Sequence, residues 1–266
     1  MVATQLRYIN TEWRDRPDPP SIGSRETRRA NTAYQDVQIL DARAALHADL
    51  GLDTSGFTIT RHHAEAPGHD SDRLKRDYYA QMTDLVKRHS GADCVYAMSH
   101  QIRTEDRSDF NSAYARFVHC DYNLANLQMM SLNTLKKHDI KPRSSWQYAW
   151  YNTWQPFDSE VKQNALAMCD TRSLADGDVI DYRYTGYLTE DNAEGGLVSA
   201  PVYNADHRWY YYPDMQLDEV LLTKQLDERE GKAALCPHSS FIDAAVGEDV
   251  PPRRSIEMRL LAVFDT

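Results

Sequence analysis

From residue 145 onward the chain is a succession of short β-type runs cut apart by turn residues, and this limits the folds open to it. The runs are WQYAWYNTW at 146–154, LAMCD at 166–170, VIDYRYTGYL at 179–188, HRWYYYP at 207–213, EVLLTKQLD at 219–227 and SIEMRLLAVF at 255–264. Their aromatic and β-branched residues suit a pleated, half-buried surface. DGD at 176–178, EGG at 194–196, EREG at 228–231 and VPP at 250–252 supply turns between most of them. Such a series reads as antiparallel hairpins rather than parallel crossovers.

The N-terminal third has a different rhythm. Leu74, Tyr78, Met82, Leu85 and Val86 recur at helical spacing and predict an amphipathic helix over 71–90, with Ser71 or Asp72 as N-cap. A second helix is predicted from Leu124, Leu127, Met130, Leu132 and Leu135. It ends in Lys136, Lys137 and His138, and cations suit the negative end of a helix dipole. VQIL at 37–40, FTIT at 57–60 and CVYAM at 94–98 add strands, and RSDFNSAY at 107–114 reads as a polar loop. The expected fold is therefore mainly β, a barrel or jelly roll with flanking helices. One domain over 1–266 is expected, with polar residues 1–35 as an extended arm carrying a strand near Leu6–Ile9, and about 90–266 as the barrel core.

Charge narrows the partners. Forty acidic against 30 basic residues leave a net charge of −10, which argues against a nucleic-acid partner. No apolar h-region opens the chain and no run approaches the roughly 18 apolar residues of a spanning helix, so no membrane partner is expected. The four cysteines form no CxxC pair and read as free thiols in a cytoplasmic protein.

The sharpest chemical feature is His119-Cys120-Asp121. On an extended backbone, residues i and i+2 share a face, so the pair presents an imidazole beside a carboxylate. A second imidazole from a distant strand completes a set of two histidines and one carboxylate, which suits iron(II) and leaves open coordination positions for co-substrate and dioxygen. His238, in CPHSSF, is the expected third ligand, with His207 as its rival. His238 is favoured because Arg253 and Ser255 follow it. A 2-oxoglutarate co-substrate chelates iron through its keto-acid end, and its far carboxylate needs a fixed cation that a guanidinium provides. Arg253 with Ser255 is the first choice for that role and Arg259 the second. Tyr122, Trp150, Trp209 and Tyr211 are candidate walls of a substrate pocket. Cys120 should point to the opposite face, into the core. His62, His63 and His69 read as a solvated loop.

Several segments together resemble the AsaB-like group of fungal and bacterial enzymes, which includes a gibberellin desaturase, a cephem-methoxylase component and an aziridine-forming amino-acid oxygenase. They are VHCDY at 118–122, YNTWQP at 151–156, LAMCDTRSL at 166–174, HRWYYYPDMQLDE at 207–219, CPHSSF at 236–241 and PPRRSIEMRLLAVF at 251–264. The resemblance implies a double-stranded β-helix (jelly-roll, cupin-like) core. It also implies iron(II)- and 2-oxoglutarate-dependent oxidation of a small secondary-metabolite or amino-acid-derived substrate by hydroxylation, desaturation or ring closure. It assigns His119, Asp121 and His238 as ligands and Arg253 with Ser255 to the co-substrate. Gln155 stands where the group usually carries arginine, so Gln155 is a further pocket candidate. Two other enzyme readings compete: a non-oxidative zinc enzyme on a related barrel, and an iron oxygenase with a different electron source. A metal-free binding module would leave the two histidines and the aspartate without a task. No motif sets substrate identity or oligomeric state.

Overall fold

The computed structural model describes residues 1–45, 47–62, 71–104, 115–186, 196–247 and 249–265. Thirteen strands are found among them: β1 (Val2–Ile9), β2 (Ser21–Ile22), β3 (Thr32–Asp41), β4 (Phe57–Arg61), β5 (Cys94–Arg103), β6 (Trp146–Pro156), β7 (Leu166–Cys169), β8 (Val179–Tyr184), β9 (Gly196–Pro201), β10 (Trp209–Tyr211), β11 (Glu219–Asp227), β12 (His238–Ser240) and β13 (Ser255–Asp265). The helices are α1 (Arg25–Asn31), α2 (Ser71–Arg73), α3 (Tyr79–Ser90) and α4 (Leu127–Lys137), with a π-helical turn, Leu74–Tyr78, joining α2 to α3.

Two five-stranded sheets form the double-stranded β-helix core, in the orders β1-β3-β10-β7-β12 and β4-β11-β6-β13-β5. A smaller sheet, β2-β8-β9, lies beside them. The two large sheets are antiparallel throughout except where β10 runs parallel to β3. Phe57, Trp154 and Leu221 from one sheet meet Met168 and Tyr210 from the other in one buried cluster, which is the core between the layers.

β6 and β13 are the central strands of the second sheet and pair over their whole length, from Ser255 opposite Pro156 to Asp265 opposite Trp146. Alternation divides β13 between two tasks. Ile256, Met258, Leu260 and Ala262 pack outward against Tyr78, Met82, Leu85 and Val86. Ser255, Glu257 and Arg259 occupy the other face, toward the interior. The α3 pattern Met82, Leu85, Val86 is the buried stripe of an amphipathic helix. Gly91 then ends the helix in the left-handed conformation, with φ 70°. Leu260 is completely buried under this helix. Leu260→Ala is expected to cost about 2–5 kcal/mol, the range for truncating a core leucine, seen as a lowered denaturation midpoint.

The N-terminal segment is not an arm. β1 pairs residue for residue with β3, from Val2 opposite Ile39 to Ile9 opposite Thr32. Leu6, Tyr8 and Ile9 are buried. The alternation of Val2, Leu6 and Tyr8 gives this strand an apolar face that must be covered, and pairing with β3 covers it. α1 follows on a Ser24–Thr27 capping box. Residues 2–9 and 32–41 are therefore strands of the first large sheet. No helix among the described residues is long and apolar enough to cross a membrane. The loop 107–114 and two of the three clustered histidines, His63 and His69, lie outside the described residues.

Candidate metal centre

His119 does not lie in a named strand. It forms an isolated antiparallel bridge with His238, each amide donating to the other's carbonyl at 3.1 and 3.0 Å. The next residue is held as well, since the Cys120 amide donates to the Ser199 carbonyl at 2.8 Å. The segment is therefore extended, and the i, i+2 rule applies. Cys120 turns into the core, 1% exposed, while His119 and Asp121 face the interior together.

Donor atoms of His119, Asp121 and His238 all lie within 4.8 Å of one another. Asp121 Oδ1 is 3.4 Å from His119 Nε2 and 3.7 Å from His238 Nε2. Among the described residues no other trio of histidine, cysteine, aspartate and glutamate is gathered so closely. Each imidazole is anchored by its far nitrogen. His119 Nδ1 is 2.6 Å from the Phe117 carbonyl and His238 Nδ1 is 3.1 Å from the Cys236 carbonyl. An Nδ1–H donating to a carbonyl leaves the Nε2 lone pair free to face the centre, which is how metal-binding histidines are oriented.

Electrostatics keep the trio ready for a cation. Burial acts to raise the Asp121 carboxyl, but its hydrogen bond with His119 and the proximity of His238 and Arg259 hold it well below the usual carboxylate range. Burial, reinforced by His119, lowers the pKa of His238 and favours neutral imidazole. An ionised carboxylate beside neutral imidazole is the donor state a divalent ion requires. Asn152 Nδ2 donates to Asp121 Oδ2 at 2.5 Å, so one carboxylate oxygen is held and the other faces the imidazoles. Asn152→Ala is expected to weaken metal affinity about 10–100-fold, measured by chelator competition, as removal of such outer supports does elsewhere.

Ser255 opens β13 and Arg253 precedes it by two residues, and both are buried. The Arg253 guanidinium lies 5.2 Å above the Trp154 ring. Its Nη1 donates to the Asn164 carbonyl and is 3.5 Å from Ser240 Oγ, two residues beyond His238. Ser255 Oγ is buried with no hydrogen-bond partner. A buried hydroxyl without a partner beside a buried guanidinium fits a carboxylate ligand. Arg259 lies deeper along the strand, with Nη2 3.0 Å from Glu257 Oε1.

The pocket candidates separate. Tyr122 stays at the centre: its hydroxyl is buried without a partner and its ring lies 5.6 Å from that of Trp150. Trp150 is core, fully buried, its Nε1 donating to Ser131 Oγ of α4 at 3.0 Å. Trp209 is also core, its Nε1 donating to the Tyr8 hydroxyl at 2.7 Å. Tyr211 packs its edge on Phe241 at 5.2 Å. Register explains the misplacement of Trp209 and Tyr211. Met168 is paired with both His238 and Tyr210, so Tyr210 shares the face of His238 and its neighbours in sequence point away. Gln155 is likewise on the far face of β6, accepting from the Tyr78 hydroxyl at 2.9 Å and donating to the Leu217 carbonyl at 2.6 Å. It is a structural residue beneath the helix layer.

His207 belongs to a separate buried relay. Its Nδ1 is 3.2 Å from the Tyr8 hydroxyl and its Nε2 is 3.1 Å from Asp178 Oδ2. Both ring nitrogens are occupied there, which removes it from the metal centre. Sequence reading missed Asn152 and Glu257. Their signal was alternation along β6 and β13, which places both on the interior face.

A family model described as Oxidoreductase/YMDC permease-like domain matches residues 6–264. Hydroxylase/desaturase efuI of Hormonema carpetanum is 30% identical, over 87% of this chain and 84% of its own length. Alpha-ketoglutarate-dependent dioxygenase phiK of a fungal species is 28% identical, covering 89% and 86% of the two chains. Fe(II)/2-oxoglutarate-dependent dioxygenase nvfI of Aspergillus novofumigatus is also 28% identical, covering 87% and 84%. Among solved structures, the iron and alpha-ketoglutarate-dependent endoperoxidase NvfI superposes with a TM-score of 0.83 at 22% identity, over 99% of this chain and 98% of its own, and shares the fold.

Proposed function

The chain belongs to the AsaB-like hydroxylase/desaturase group, within the Oxidoreductase/YMDC permease-like domain family, and from this we infer that it is an iron(II)- and 2-oxoglutarate-dependent oxygenase of secondary metabolism. The observation that carries the reading is the convergence of His119 Nε2, Asp121 Oδ1 and His238 Nε2, with both Nδ1 atoms already engaged. Two histidines and one carboxylate are the donor set of mononuclear iron(II) oxygenases. The same set can hold a catalytic zinc, and the relatives named as Fe(II)- and alpha-ketoglutarate-dependent dioxygenases favour iron.

His119, Asp121 and His238 hold the metal. Arg253 and the Ser255 hydroxyl take the far carboxylate of 2-oxoglutarate. The bound iron and co-substrate supply dioxygen-driven oxidation of a substrate C–H bond, releasing succinate and carbon dioxide. The protein's share is to fix the ligands, keep Asp121 ionised and exclude water with the core of Trp154, Met168 and Tyr210. Tyr122 borders the substrate. The substrate is a small molecule and dioxygen its partner; nucleic acid and membrane have no place in this reading, and the setting is the cytoplasm. The described residues are read as one oxygenase domain.

Anaerobic addition of iron(II) and 2-oxoglutarate should give a visible charge-transfer band that requires both. Admission of air should then convert 2-oxoglutarate to succinate in a single uncoupled turnover, with the iron oxidised in place of a substrate. If the band and the succinate are both absent from iron-loaded protein, the 2-oxoglutarate assignment is wrong.

A further inference from the structure

We propose that Asn152, Arg259 and Glu257 form a positioning relay that holds Asp121 as a one-oxygen metal ligand, with Glu257 at its far end. The inference rests on the metal centre proposed above. It starts from the division of labour at Asp121: Oδ1 faces the two imidazoles and Oδ2 accepts from Asn152. That bond uses the Asn152 amide as donor and leaves its Oδ1 buried with no partner.

The residue directly opposite Asn152 on the neighbouring strand is Arg259. Opposed residues in an antiparallel pair share a face with their Cβ atoms roughly 4.5–5.5 Å apart, within reach for these side chains. The Arg259 Nε–H is also buried without a partner. One buried acceptor and one buried donor without partners thus sit side by side, and a small rotation joins them. Arg259 is fixed from its other end by Glu257, Nη2 to Oε1 at 3.0 Å. Glu257 and Arg259 are two apart on one strand, so β13 presents both to the interior. The pair is held by charge rather than by an aligned hydrogen bond, since Glu257 Oε1 has no hydrogen-bond partner.

Charge supports the order of the chain. Asp121 and Glu257 are both anionic, and Arg259 is the cation between them. Without Glu257 the guanidinium is free to swing toward Asp121 and compete with the metal for the carboxylate. With it, Arg259 is held back beside Asn152, a small rotation from the Asn152 Oδ1.

A double-mutant cycle on metal affinity tests the relay without any substrate. Cobalt(II) serves as the probe, read by chelator competition and by its ligand-field spectrum in the whole protein. Asn152→Ala and Arg259→Met should each weaken cobalt binding about tenfold or more and change the spectrum, and the double variant should be little worse than either alone. Such non-additivity marks residues acting through one another. Isosteric Glu257→Gln should reproduce part of the loss, and Arg259→Lys should recover part of the affinity lost in Arg259→Met. Additive effects, or an unchanged spectrum in Glu257→Gln with its melting temperature preserved, overturn the relay. If the wild-type protein fails to bind one cobalt ion, or binds it independently of His119, the metal centre itself is wrong rather than the relay.

Discussion

Asp121→Ala is expected to abolish 2-oxoglutarate turnover and to weaken iron(II) binding by at least about a hundredfold. Loss of a residue that merely supports a ligand costs about 10–100-fold in metal affinity, so loss of the anionic ligand itself costs more. Asp121 is the one carboxylate in the trio, and the two imidazoles that remain carry no charge to balance a divalent ion. The fold should survive. Asp121 is ionised and held by His119, His238, Arg259 and Asn152, so its removal costs the metal-free protein some stability, while the His119–His238 backbone bridge stays in place. The melting temperature of the metal-free protein should therefore fall moderately, whereas the stabilisation that iron(II) gives the wild type should disappear. His119→Ala should act in the same way. Stoichiometric iron and undiminished succinate formation in either variant would remove the assignment.

Much of this fold could be read from the sequence because most long runs became strands. WQYAWYNTW lies within β6, EVLLTKQLD is β11 and SIEMRLLAVF lies within β13. Short or featureless strands could not be read. β12 is His238–Ser240, with no alternation to mark it, and it exists because β7 is there to pair with it. β1 was legible only in its second half, because Thr4 and Gln5 interrupt its apolar residues.

The candidate site was legible for a narrower reason. His119 and Asp121 needed only an extended backbone, and the bridge to His238 supplies it even without a regular strand. Which aromatic residues face the interior was not legible. HRWYYYP contains four adjacent aromatic residues and no polar partner to set its phase, so the pairing of Tyr210 with Met168 decides the side. Gln155 failed in the same way. Its position beside Trp154 suggests the site, but neighbours on a strand point in opposite directions, and it lies opposite the outward-facing Ile256.

Arg253→Leu is expected to raise the dissociation constant of 2-oxoglutarate about a hundredfold while leaving iron(II) affinity near the wild-type value. Hydrogen bonds to a charged group contribute roughly 1.5–3 kcal/mol each, and every 1.4 kcal/mol is a factor of ten, so losing one or two accounts for that change. The guanidinium is already positioned by Trp154 and by the Asn164 carbonyl, so little ordering remains to oppose binding. The same Asn164 contact means that some stability is lost too, although the carbonyl still accepts from Ser240 Oγ at 3.0 Å and is not left unpaired. Two comparisons separate the effects. Arg254→Leu, one residue on, removes an exposed guanidinium paired with Asp158 at 2.9 Å and should leave co-substrate binding unchanged. Arg253→Lys keeps the charge but not the planar fork, and should fall between wild type and Arg253→Leu. Titration of the anaerobic charge-transfer band measures all three. Wild-type affinity in Arg253→Leu, or a larger loss in Arg254→Leu, would place the co-substrate carboxylate elsewhere in the barrel. An equal loss of iron would instead show that Arg253 supports the metal ligands, through Ser240 and the strand that carries His238.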